Sequence, residues 1–236
     1  MTQEQLAARL NACGIPFRPE LPGLLLRYHA LLMDWNTRMD LTAVTDEDEM
    51  IDRHYVDSLM PLREAALLPV GARLIDVGTG AGFPGVPILI ARPDIKLVLL
   101  DSLNKRLTFL EAVLAELGLS ARAKRVHARA EDGGRMDALR GGFDVAFTRA
   151  VAPASVALEW TIPFLKVGGT SLLYKGAKAE EELAAAENAL SLLSASATIV
   201  RYEAPWGERY VIAARKDGKT PKEYPRKAGT AAKKPL

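Results

Sequence analysis

Five residues of the run Leu74-Ile75-Asp76-Val77-Gly78-Thr79-Gly80-Ala81-Gly82-Phe83-Pro84-Gly85 could wrap a backbone around a small ligand: Asp76, Gly78, Gly80, Gly82 and Gly85. Glycine takes positive φ at little steric cost and lets a ligand touch the main chain. A helix that starts after such a run presents unpaired N–H groups to the ligand. About 20 residues further on, Lys96-Leu97-Val98-Leu99-Leu100-Asp101 reads as a buried strand ending in a carboxylate, the position from which ribose hydroxyls are gripped in a doubly wound sheet. Together the two motifs predict a nucleotide-like ligand held by Gly78, Gly80 and Asp101, a stronger signal than either alone.

The spacing Gly80-x-Gly82-x-x-Gly85 also matches a dinucleotide fingerprint, but two details argue against a pyrophosphate. Pro84 and Pro87 remove N–H donors from the first helical turn, and a diphosphate site depends on those donors. Asp76 places negative charge at the strand end, where a cation is better received. S-adenosylmethionine fits these features, with an adenosine, a sulfonium, an amino group and no phosphate. The alternative is a tight strand-to-helix corner with no ligand.

Further along, Arg149 ends the strand Phe147-Thr148-Arg149, and Lys175 ends another before Gly176. Strand C-termini are where doubly wound sheets place ligands. Arg149 could grip a phosphate or the cofactor carboxylate in a fork, or form an ion pair with Asp76 or Asp101 that only fixes a loop. Lys175 could reach a phosphate or carbonyl oxygen of a substrate, or be a plain surface lysine. No cysteine lies in the strand-rich part, and no Asn or Asp precedes Pro-Pro and an aromatic. Attack on a pyrimidine C6 and methylation of an exocyclic amine are therefore disfavoured. His54 and Asp57 suggest a structural pair, and Arg122, Lys124, Arg125, His127 and Arg129 alternate along the third strand as charge on an edge.

The elements that must position these residues follow from periodicity. Leu21, Leu24, Leu25, Tyr28, Leu31, Leu32 and Trp35 fall at helical spacing, and a second helix is predicted over 49–62. Beyond Pro69 and Gly71, strands near 73–78, 96–101, 123–127, 143–148 and 169–174 alternate with helices near 86–91, 104–117, 132–139, 153–165 and 177–193. Runs 197–202 and 209–214 read as a closing hairpin. This is an α/β, Rossmann-like methyltransferase fold with a mostly parallel seven-stranded sheet. Three parts are expected: a helical module 1–68, a cofactor-binding domain 69–215 and a basic tail 216–236.

The chain has 236 residues, 49% hydrophobic and 25% charged, with net charge +2. These are ordinary globular values. No apolar run spans a bilayer and the N-terminus lacks a basic, apolar leader, so a cytoplasmic protein is expected. One cysteine and three scattered histidines give no metal spacing. From Arg215 onward eight basic residues face two acidic ones. That tail is either an arm for a polyanion or a solvated end, dispensable for the cofactor in both cases.

These motifs resemble one family nearly end to end: the glucose-inhibited division protein B family, also called ribosomal small subunit methyltransferase G. The resemblance rests on Trp35-Asn36, Leu41-Thr42-Ala43, Arg53-His54-x-x-Asp57-Ser58-Leu59, the long glycine motif through Pro87, and Leu100-Asp101-Ser102-x-x-Lys105-Arg106. It continues through Arg129-Ala130-Glu131, Arg149-Ala150, Lys175-Gly176 and Pro221-Lys222-x-Tyr224-Pro225-Arg226-Lys227-x-Gly229. Asp40 stands where the family pattern has asparagine. The resemblance implies transfer of a methyl group from S-adenosylmethionine to N7 of a guanine in 16S ribosomal RNA, free or within the small subunit or its assembly intermediate; a monomer is expected, and the residue spacing speaks against a metal. It also implies that Gly78, Phe83, Ala130, Glu131 and Arg149 contact the cofactor and that Asp101 and Ser102 line its ribose; by position and charge, Arg129, Lys175 and the tail residues Lys222, Arg226 and Lys227 are the candidates for meeting that RNA. The rivals are a methyltransferase acting on a small molecule or protein, and an RNA-binding assembly factor without turnover.

Overall fold

The computed structural model describes residues 1–236. The N-terminal part is helical: α1 (Gln3–Ala12), α2 (Leu21–Asn36) and a continuous run made of α3 (Glu47–Met50), a π-helical segment Ile51–Val56, α4 (Asp57–Leu59) and a 3-10 turn Met60–Arg63. Thr2 caps α1 in a reciprocal box with Gln5, which satisfies two N–H groups that a helix start leaves open. The sheet strands are β1 (Arg73–Val77), β2 (Lys96–Asp101), β3 (Ala123–His127), β4 (Phe143–Arg149), β5 (Leu165–Lys175), β6 (Ala195–Tyr202) and β7 (Arg209–Lys216). All seven expected strands are present.

The strand order is β3-β2-β1-β4-β5-β7-β6, parallel except for β7, which pairs antiparallel with β5 and with β6. The sheet is thus mixed, with the terminal hairpin folded so that its second strand lies inside its first. β1, β2 and β4 are apolar on both faces because helices cover both. The chain runs outward from β1 to β3 and then returns to β4, which opens a crevice at the C-terminal ends of β1 and β4.

One face of the sheet packs on α5 (Gly85–Ala91), α6 (Asn104–Glu116) and the N-terminal helices in a single cluster of 40 buried residues. Leu6, Leu25 and Tyr28 belong to that cluster alongside Leu74, Leu97 and Phe147, so the helical segment and the sheet share a core. The other face packs on α7 (Ala130–Gly133), α8 (Ala154–Thr161) and α10 (Glu187–Leu193).

Two expected helices differ. The one near 132–139 begins at Ala130 and ends at Gly133, because the Gly133-Gly134 pair weakens the helix and brings the backbone so close to Leu100 that a Cβ on Gly133 would sit 2.7 Å from its Cδ1. The helix near 177–193 is broken into α9 (Ala179–Ala184) and α10. The tail is no free end: Lys216, Thr220, Tyr224 and Ala231 are buried, and the chain closes with α11 (Thr230–Lys233).

Candidate active site

The glycine loop after β1 is fixed by its neighbours before any ligand arrives. Gly78, Gly80 and Gly82 all have positive φ. The N–H groups of Gly78 and Thr79 donate to Leu100 O, and that of Gly80 donates to Asp101 Oδ2 at 2.9 Å. A Cβ on Gly82 would lie 2.7 to 2.8 Å from Val86, Leu110 and the Tyr28 hydroxyl. That hydroxyl donates to Ala81 O, and the Tyr28 ring lies against Phe83 with centroids 5.3 Å apart. Helix α2 thereby clamps the loop from outside the sheet.

Two connected hollows open along this loop. The larger, about 350 Å³, is walled by Asp101, Ser102, Arg129, Ala130, Glu131 and Trp160. Gly78, Arg106 and Val151 belong to its wall and to that of a second hollow of about 220 Å³, which Thr79, Gly80, Phe83, Thr42, His54 and Arg149 line. Beyond His54 and Arg149 the surface opens into a wide cleft. The trough therefore runs from an acidic end suited to a nucleoside, past bare glycine backbone, to a basic and aromatic mouth. Its dimensions and polarity suit S-adenosylmethionine.

Of the residues named from sequence, Gly78, Gly80, Phe83, Asp101, Ser102, Ala130, Glu131, Arg129 and Arg149 meet along this trough. Asp101 also staples the loop, since Oδ1 accepts from Leu103 N at 2.8 Å while Arg106 approaches Oδ2 at 3.4 Å. Asp76 is a correction. It is fully buried and forms no part of either hollow's wall, with Oδ2 accepting from Thr79 Oγ1 at 2.7 Å and from Gly85 N at 3.0 Å while Oδ1 has no partner. Oδ2 therefore braces the corner, and Asp76 does not line the trough as a ligand contact would.

Lys175 is a second correction. Its ammonium pairs with Glu182 at 2.6 Å and donates to Ala152 O at 2.7 Å, and Glu182 also accepts from Ala154 N at 2.9 Å. An RNA phosphate would have to displace this internal pair, so Lys175 fixes the loop after β4. Arg226 is the third, because its guanidinium is forked onto buried Glu159, 2.6 Å at the shortest. Lys222 and Lys227 do face solvent.

Arg149 forms its ion pair with neither Asp76 nor Asp101. Nη1 donates to Arg53 O at 2.7 Å and meets Asp57 Oδ2 at 3.2 Å, and its carbon centre lies 5.2 Å from the Phe83 ring centroid. Asp57 is shared with Arg209 at 3.4 Å. Arg149 Nη2 and Arg53 O both lie 3.2 Å from His54 Nδ1. His54 Nε2 shares a hydrogen bond with Thr42 Oγ1 at 2.9 Å. Burial, reinforced by the Arg149 charge, lowers the His54 pKa to about 4 and keeps the ring neutral. The His54 ring stacks on Phe83 at 4.7 Å.

His54, Thr42 and Arg209 are site residues that sequence reasoning did not place there, and His54 and Asp57 meet through Arg149, not as a pair. The one available signal was the quoted Thr42 and Arg53-His54-x-x-Asp57 motif. The π-helical segment explains the geometry, since its altered hydrogen bonding turns the Arg53 carbonyl and the His54 ring toward one cation. Ala150, directly after Arg149, has φ +55, a left-handed conformation that a non-glycine residue holds only where surroundings enforce it.

Asp76 gives a pH prediction. Burial raises its pKa to about 6, against the opposing pull of Thr79 and Gly85. Between about pH 4 and 6 the folded state keeps a proton that the unfolded chain has lost, so this group lowers stability as pH rises through that window. His54, depressed below its unfolded value, acts in the opposite direction and masks the effect in the native protein. Asp76→Asn should therefore gain stability relative to the native protein between pH 4 and 7, as read by urea unfolding. The same difference at both pH values would show that Asp76 does not titrate there.

The sheet order and the trough define a Rossmann-like S-adenosylmethionine-dependent methyltransferase. Among solved structures the chain is similar to the cofactor-bound Rv0187 protein from MTB, with TM-score 0.59, 19% identity, and 91% of this chain and 97% of that one covered. It is also similar to the O-methyltransferase TomG from Streptomyces achromogenes, with TM-score 0.57, 16% identity, and coverage of 92% and 100%. Such likenesses establish the fold alone. The GidB family, described as rRNA small subunit methyltransferase G, matches residues 23–205. Proteins named ribosomal RNA small subunit methyltransferase G are 42% identical in Streptococcus thermophilus and 44% identical in Streptococcus pyogenes, each over the whole length of both chains. The chain belongs to the GidB family of rRNA small subunit methyltransferases.

Proposed function

We propose that this protein transfers a methyl group from S-adenosylmethionine to N7 of a guanine in 16S ribosomal RNA. The observation that carries the reading is the continuous trough from Asp101 past Gly78 to the Arg149 mouth, in a chain of this family. When bound, S-adenosylmethionine supplies an electrophilic methyl group on a sulfonium. Asp101 and Ser102 would hold its ribose, Ala130 and Glu131 its base, and Gly78, Gly80 and Phe83 the rest.

Guanine N7 already carries an in-plane lone pair, so no residue has to remove a proton. The site agrees with this: both His54 nitrogens are engaged, and Asp57 lies between two guanidiniums. The protein's task is alignment, and holding two reactants in line supplies about 7 to 11 kcal/mol of such a barrier. Arg149, braced by Asp57, Arg53 O and Phe83, is the residue this reading sets against the target base or the cofactor carboxylate. Arg129, Lys222 and Lys227 would meet RNA phosphates. The protein would act as a cytoplasmic monomer, with residues 1–68 clamping the loop, 69–215 binding the cofactor, and 216–236 contributing charge.

The test is mass mapping of 16S RNA taken from cells lacking this protein and incubated with the purified chain and S-adenosylmethionine. Naked RNA, assembly intermediates and mature small subunits serve as separate substrates. The expected result is one added methyl mass on a single guanine, which then becomes sensitive to the reductive strand cleavage specific to N7-methylguanine. Methylation on another atom, or cofactor binding without turnover on any substrate, would overturn the reading.

A further inference from the structure

The C-terminal segment is the most basic part of the chain, yet it is folded back and fastened at three places. Arg140 gathers three of its carbonyls, donating to Tyr224 O at 2.7 Å, to Pro221 O at 3.1 Å and to Thr220 O at 3.2 Å. Arg226 then forks onto Glu159 of α8, and its backbone N–H takes the same carboxylate at 2.7 Å. Glu159 is fully buried, so no water can stand in for Arg226, and an unpaired charge there would be costly. Three residues on, Gly229 at φ +79 donates its N–H to Glu131 Oε1 at 2.9 Å. Glu131 itself lines the large hollow beside Ala130.

From that anchor the chain turns into α11, and Gly229 and Ala232 both form part of the hollow's wall. Ala232 is exposed while its neighbour Ala231 is fully buried. The small helix therefore presents one face to the core and another to the cavity and solvent. Lys222, Lys227, Lys233 and Lys234 are all exposed, so the segment's free charge lies apart from its anchors. This wall stands against the expectation of a tail dispensable for the cofactor.

We propose that residues 220–234 are a strap that completes the adenosine end of the cofactor cavity. Arg226 and Glu159 are positioning residues that lock it, and Gly229 and Ala232 are the strap residues that wall the hollow. This inference rests on the S-adenosylmethionine reading of the trough. It assigns to the segment a part in cofactor affinity, separate from any contact its lysines make with RNA. The strap touches the hollow where Asp101, Ala130 and Glu131 lie and not the Phe83 end. A ligand lacking the methionine portion should therefore feel its loss as strongly as the whole cofactor.

The experiment is calorimetric titration of the full chain with S-adenosylmethionine and, separately, with adenosine. Arg226→Ala should weaken both ligands by the same factor, about tenfold or more, in line with losing charge-assisted anchoring. A slackened glycine loop would instead weaken S-adenosylmethionine more than adenosine, and that pattern would overturn the strap. Arg226→Lys keeps the charge, loses the fork and covers the case in which the alanine variant does not fold. Ala232→Trp, at an exposed position, should block both ligands while leaving the thermal midpoint unchanged. If the native chain binds and Arg226→Lys and Ala232→Trp both bind adenosine as the native chain does, the strap is wrong. If the native chain does not bind S-adenosylmethionine, the reading of the trough fails whatever the strap does.

Discussion

Gly78→Val is expected to give a folded protein that no longer binds S-adenosylmethionine. Gly78 has φ +73 at the seam between the two hollows, and a Cβ there would stand 3.4 and 3.5 Å from the two Val151 methyl carbons. Valine is branched at Cβ and strongly resists the left-handed region. The added methyls have nowhere to go except the ligand's path, and the loop would have to swing its Leu100 hydrogen bond aside. Gly80 is the control: a Cβ there meets nothing nearer than Gly78 O at 4.0 Å. Gly80→Ala should keep measurable binding, with a backbone cost of about 1 to 2 kcal/mol. Calorimetry decides it, and native affinity in Gly78→Val would move the cofactor elsewhere.

Arg149→Ala should lower kcat/KM for RNA methylation by about a hundredfold or more, because a displacement near 1 Å at a reacting centre is worth that much. Stability should also fall, by about 1.5 to 3 kcal/mol, since part-buried Asp57 would lose a charge-assisted hydrogen bond and retain Arg209 alone. The two effects separate in a cycle with Asp57→Asn. If Arg149 only braces the interface, the double variant recovers stability and activity together. If Arg149 also faces the reactants, stability recovers and turnover does not. Native kcat/KM in the folded single variant would remove Arg149 from the site.

The glycine corner and Asp101 were legible because each uses a local rule: glycine where φ is positive, a carboxylate at a strand end. The strands were legible for the same reason, being apolar runs closed by turn residues. The partners of Arg149 were not, since Arg53 and His54 lie 96 and 95 residues away in the chain and are turned by a π-helical segment that no residue pattern marks. Lys175 read as a free cation because its partner Glu182 lies in a run of acidic residues indistinguishable from a solvated helix face. The tail misled in a similar way. Its lysines say solvent, but Tyr224, Ala231 and the Arg226 fork decide where it goes.

The clamp of α2 on the glycine loop also bears on how the chain folds. Tyr28 and Ala81 are 53 residues apart, Tyr174 donates to Ser58 O across 116, and Gly229 reaches Glu131 across 98. Contacts of such separation form only after large loops close, which slows folding. The first holds the glycine loop and the last joins Glu131 to Gly229, both in the wall of the trough. During refolding, sheet structure should therefore appear before ligand-binding competence.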